Sequence, residues 1–149
     1  MKKIWFLVGL VVCLLCMPLT GFAKTGDDEA KQKYEDAITD SWKEMMKQSI
    51  ALDTISAENK ASLLAWKDEK NPPEEARKLV DKIEKLQETQ EKEQESLTPY
   101  TEAKKACDEK LNADGANAAL ENMVRILKDQ ISDQEEVKAI WKQVGKLLK

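Results

Sequence analysis

The sequence predicts an all-α fold: an elongated antiparallel three-helix bundle packed in the manner of a coiled coil. Apolar residues recur at alternating three- and four-residue steps through three long segments, the spacing that lines one face of a helix. Two polar breaks bearing Pro or Gly separate those segments. The composition is charge-rich and turn-poor, 35% charged with 5 Gly and 4 Pro in 149 residues, a balance typical of long amphipathic helices. Disorder shares that balance, and the regular apolar spacing decides for helices.

The first element is read as a targeting segment. Lys2 and Lys3 form a basic start, Ile4 to Leu15 is apolar apart from Gly9, and Gly21-Phe22-Ala23 places small residues where a signal peptidase reads. Cleavage after Ala23 is expected, leaving residues 24–149 as one helical domain. The apolar stretch falls short of the roughly 20 residues a membrane span needs. Val12 and Leu15 before Cys13 and Cys16 do not suit a lipidation site, which wants a small residue there. Removing residues 1–23 leaves 22 basic residues against 28 acidic ones, a net charge of −6, and leaves Cys107 as the one thiol. An internal disulfide is then excluded, and an intermolecular one is the only kind open. The acidic balance argues against a nucleic-acid partner.

In the first segment, Ile38, Trp42, Met45, Ser49, Leu52, Ser56, Asn59, Leu63 and Trp66 share one stripe. Its small polar members predict a looser helix, with an interruption around 53–59 as one alternative. Asn71-Pro72-Pro73-Glu74-Glu75 ends that helix and starts the next, with Pro near the first turn and two acids at the positive end of the helix dipole.

The second stripe runs Leu79, Ile83, Leu86, Gln90, Glu93, Leu97, Tyr100, Lys104, Cys107, Leu111, apolar at seven of ten positions. Pro99 lies inside it without a change of phase, so either a kinked helix or a fresh start after Thr98 is expected. The second break, 112–115, reads as a polar turn with Gly115 free to take positive φ.

The third stripe is Ala116, Leu120, Met123, Leu127, Gln130, Gln134, Val137, Trp141, Val144, Leu148. Ser132 with Glu135 resembles a capping box and marks a second candidate break.

Short connections make successive helices antiparallel. Folding about Asp114 sets Glu93 level with about Gln134, and folding about Pro72 sets it level with about Ser49 to Asp53. Every stripe turns polar near its middle, so Ser49, Gln90, Glu93, Gln130 and Gln134 are expected to form a polar layer at the waist. Such a layer fixes alignment at a cost in stability, and a small-ligand site is its functional alternative.

Little else in the sequence carries chemistry. It has no histidine, no thiolate cluster and no phosphate-cradling glycine loop. The carboxylates fit solvated helix faces better than a hydrolase pair. No catalytic residue, metal site or cofactor is expected. Cys107 is expected as a buried small hydrophobe. Trp42 and Trp66, on the less regular helix, are the candidate partner-binding residues, with core packing the plainer reading for each. Lys138, Lys142, Lys146 and Lys149 beside Trp141 form a candidate membrane-surface face, against the plainer view that they complement the helix C-terminus. The expected function is that of an exported, non-enzymatic interaction, chaperone-like or scaffold module. Its partner is another protein or a second copy met through a helical face. Membrane association and a carboxylate site at the waist are the alternatives.

Overall fold

A computed structural model of the protein describes residues 26–149. The expected signal segment and its cleavage site lie outside the described residues. Three helices account for the fold: α1 (Gly26–Lys67), α2 (Glu74–Glu109) and α3 (Ala113–Leu147). They form a three-helix bundle with no strand among the described residues. At 1.5 Å per residue the helices span about 50–65 Å.

The helix ends follow the local chemistry. Asp27, Asp28 and Glu29 occupy the first turn of α1, and Glu74 and Glu75 that of α2, each beside free N–H groups. Pro73 stands at the N-cap position of α2, and its carbonyl accepts from the Arg77 N–H at 3.1 Å. The α2–α3 junction departs from expectation. Leu111, not Gly115, carries the positive φ, at 52°. The Asn112 N–H bonds Cys107 O at 2.9 Å and the Leu111 N–H bonds Asp108 O at 3.3 Å, the paired bonds of a Schellman motif. Asn112 then caps α3, its Oδ1 accepting from the Gly115 N–H at 3.1 Å. Gly115 is needed for a different reason. A Cβ there would stand 2.6 Å from Cys107 Sγ and 2.7 Å from Asn112 Nδ2. Cys107 itself is half-buried rather than buried.

None of the three candidate interruptions occurs. α1 runs unbroken through 53–59, α2 through Pro99, and α3 through Ser132. Pro99 is exposed, and so is Glu95, whose carbonyl loses its helical donor there, so water can replace the missing bond. Tertiary packing on both sides of each weak point keeps the helix continuous.

α3 is the central helix. Its backbone runs beside α1 and beside α2, and it buries residues of both contact faces, from Ala116 to Val144. Asn117 bonds Ala37 O and Asn59 bonds Gln134, so α1 and α3 run parallel. Gln94 pairs with Gln130 and Gln90 with Gln134, so α2 and α3 run antiparallel. The up-down-up order read from the sequence is what the contacts show.

The core is split in two. One cluster joins Met45 and Leu52 of α1, Leu97 of α2, and Leu120, Met123, Ile126 and Leu127 of α3. The other joins Ala76, Val80 and Ile83 of α2 to Val137, Ile140, Trp141 and Val144 of α3. In this second cluster α1 supplies only the half-buried Leu63 and Trp66.

Candidate functional site

Polar side chains separate the two clusters, at the level the sequence stripes predict. Gln130 and Gln134 are buried there and Gln90 and Glu93 half-buried, whereas Ser49, expected in the same layer, is buried one level away between Met45 and Leu52 of the first cluster. Gln134 Nε2 donates to Gln90 Oε1 at 2.7 Å, and Gln130 Nε2 to Gln94 Oε1 at 3.3 Å. The link from α1 is Asn59. Its Nδ2 donates to Gln134 Oε1 at 2.6 Å and to the Gln134 carbonyl at 2.8 Å. Asn59 and Gln94 therefore belong to the layer beside the residues that the stripes singled out.

Three buried atoms of this layer, Gln90 Nε2, Glu93 Oε2 and Gln130 Oε1, make no hydrogen bond among the described residues. Burial pushes the Glu93 carboxyl above the usual glutamate range, and the negative charges of Asp133 and Asp129 add to it. A register slip of one heptad between α2 and α3 would set Gln90 and Gln134 against leucine-class neighbours and strand their amides.

The two candidate partner-binding tryptophans turn inward. Trp42 is half-buried against the first cluster, and the Lys104 ammonium lies 5.0 Å from its ring centroid. Lys104 is only 7% exposed and is held by Asp108 at 2.8 and 3.0 Å. The Tyr34 hydroxyl donates to the same Asp108 carboxylate, which ties α1 to the end of α2. Burial raises the Tyr34 pKa, and the hydrogen bond to Asp108 and its charge raise it further. Trp66 is half-buried with its ring 6.5 Å from that of Trp141, at an interplanar angle of 54°.

Trp141, placed on the membrane-surface face by the sequence reading, is buried in the second cluster together with Val137, Ile140 and Val144. The apolar side of that row is committed to the core. Lys142, Lys146 and Lys149 remain exposed, while Lys138 is half-exposed and paired with Glu58. No described helix is long and apolar enough to cross a membrane. An open groove of about 300 Å³ between α1 and α3 is lined by Glu58, Asn59, Ser62, Lys138, Trp141 and Lys142. The Lys138–Glu58 pair sits in it and satisfies two of its charges internally. Among the described residues no group of three acidic or thiol side chains could hold a metal ion.

The exposed apolar surface lies where the sequence reading did not look. Ile50 is 60% exposed and Leu64 55% exposed. They sit on the outer side of α1 in one row with Thr54, Ala57 and Ala61, all exposed. On the opposite side of the same helix Ser49, Ser56 and Asn59 are buried. The signal for this row is in the sequence, since residues 50, 54, 57, 61 and 64 also step by four and three. Its alanines and threonine make it weaker than the tryptophan-bearing stripe on the opposite side.

Comparison with protein-family models, characterised proteins and solved structures finds no match to this chain.

Proposed function

We propose that this chain is a non-enzymatic interaction module of the bacterial cell envelope or exterior, engaging a protein partner through the outer face of α1. The observation that carries the reading is the pair of exposed apolar side chains on the outer face of α1. The helix turns serines and an asparagine inward and leaves Ile50 and Leu64 in water. Exposed large apolar side chains aligned on one helix face are what helix-on-helix recognition uses as anchors. The bundle supplies a rigid rod about 60 Å long on which that face is displayed. Export rests on the basic, apolar and small-residue order of residues 2–23.

A photo-cross-linking side chain placed at Ile50 or at Leu64, in the protein as it is made by its own cell, tests this. Adducts are expected at both positions and not at exposed positions on the far side of the bundle, such as Lys85. If positions 50 and 64 give no more adducts than Lys85, the reading is wrong.

A further inference from the structure

The polar layer at the waist has a direction built into it. Asn59 Nδ2 donates to the backbone carbonyl of Gln134, which can only accept, so the Asn59 amide has one orientation. The same nitrogen donates to Gln134 Oε1, which fixes the Gln134 amide in turn. Gln134 Nε2 then donates to Gln90 Oε1, and Gln90 Nε2 is left with no acceptor among the described residues. A chain of three amides thus runs from α1 through α3 to α2 and ends in a spare donor.

Two spare acceptors stand beside it. Glu93 lies on α2 between Gln90 and Gln94, the residues that bond Gln134 and Gln130 of α3. Glu93 Oε2 and Gln130 Oε1 are buried, and neither accepts a hydrogen bond among the described residues. Gln90 is anchored at the level of Gln134. Gln130 lies about 6 Å further along the seam, with Glu93 between them. The Gln90 amide is therefore placed to serve Glu93, and Glu93 to serve Gln130. An ionised carboxylate has no hydrogen to offer. A protonated one does: one carboxyl oxygen takes a proton from solvent and donates to Gln130 Oε1, and the other accepts from Gln90 Nε2.

We infer that the waist is a proton-operated joint, in which uptake of one proton by Glu93 links Gln90 to Gln130 and closes the α2–α3 seam. Loss of that proton sets a carboxylate against an amide oxygen and loosens the seam locally. The apolar clusters on either side keep the helices together, so the change is confined to the waist. The surroundings of Glu93 favour the closed form. Burial disfavours its charge, and Asp133 and Asp129 of α3 add like charge. α1 meets this level with Ser56 and Asn59, which do not titrate, and the neighbouring Glu58 is paired with Lys138.

A pH titration of the Glu93 side-chain carboxyl carbon by NMR, in the purified protein, tests this. The midpoint is expected above the ordinary glutamate value of about 4.3, with the side-chain amides of Gln90 and Gln130 shifting at the same midpoint. Gln130→Met removes the acceptor and keeps the length of the side chain. It should lower the midpoint by about half a pH unit or more, because the proton loses its partner. Burial alone predicts the opposite sign, since methionine makes the surroundings more apolar. A Gln130 amide turned over to donate to the carboxylate also predicts a rise. Glu93→Gln holds a donor and an acceptor at every pH and should abolish the shift of the Gln130 amide, a result that stands whether or not Gln130→Met folds. A Glu93 midpoint at the ordinary value, one raised or unmoved by Gln130→Met, or a Gln130 amide that still shifts in Glu93→Gln overturns the inference.

Discussion

The Lys104 ammonium, on α2, lies 5.0 Å from the centre of the Trp42 ring on α1, at a depth where only 7% of the lysine is exposed. A charge that deep needs its partners, and Asp108 supplies the one carboxylate, shared with the Tyr34 hydroxyl. Asp108→Ala should therefore cost more than an ordinary surface ion pair, about 2–4 kcal/mol by chemical denaturation. Lys104→Met with Asp108→Ala should recover part of that loss, because no unpaired charge is left behind. The raised Tyr34 pKa carries its own sign. Its contribution is intact below the ordinary tyrosine value of about 10 and is lost as pH rises beyond it. Alkaline unfolding should be less steep in Tyr34→Phe.

Glu93 acts in the acid range with the same sign. Its folded pKa lies above the unfolded value, so its favourable contribution is present below about pH 4 and is lost as pH rises through the higher folded value. At neutral pH the ionised carboxylate opposes folding. Glu93→Gln should raise stability at neutral pH and flatten the pH dependence of unfolding above about pH 4. No change in either quantity would show that the Glu93 carboxylate is well solvated.

Gly115 is held by space rather than by backbone conformation. Gly115→Ala should destabilise by about 1–2 kcal/mol, because the new methyl displaces either the Cys107 thiol or the Asn112 cap. Cys107→Ala in the same chain should give back part of that loss, and a double-mutant cycle on melting measures the coupling.

Pro99 breaks no helix, yet it still removes a hydrogen bond from the middle of α2. Pro99→Ala should stabilise the bundle by about 1–3 kcal/mol with unchanged helix content. A loss of stability instead would mean that the proline bends α2 into its fit against α3.

The export reading makes a sharp prediction of mass. Protein recovered from the envelope or medium should begin at Lys24, with a single thiol at Cys107, as intact-mass and thiol-titration measurements would show.

The sequence by itself determined three helices, the faces they bury, their alternating direction and the polar layer between two apolar clusters. All of these follow from side-chain periodicity and short connections, which are properties of neighbouring residues. The register was legible to within about a turn: folding about Asp114 sets Glu93 level with Gln134, and it is Gln90 that bonds Gln134. Only the tertiary structure decided that α3 lies in the centre and that Leu111 rather than Gly115 turns left-handed. It also showed that Asn59 closes the waist and that Trp42, Trp66 and Trp141 pack inward while Ile50 and Leu64 face water. The physical reason is rotational. α1 carries rows at heptad spacing on opposite sides, and periodicity marks the buried one without choosing how far each of its side chains turns toward α3. That choice is made by how α1 turns about its own axis when it meets α3, where Asn59 finds Gln134 and Tyr34 finds Asp108, partners more than 70 residues away in the chain.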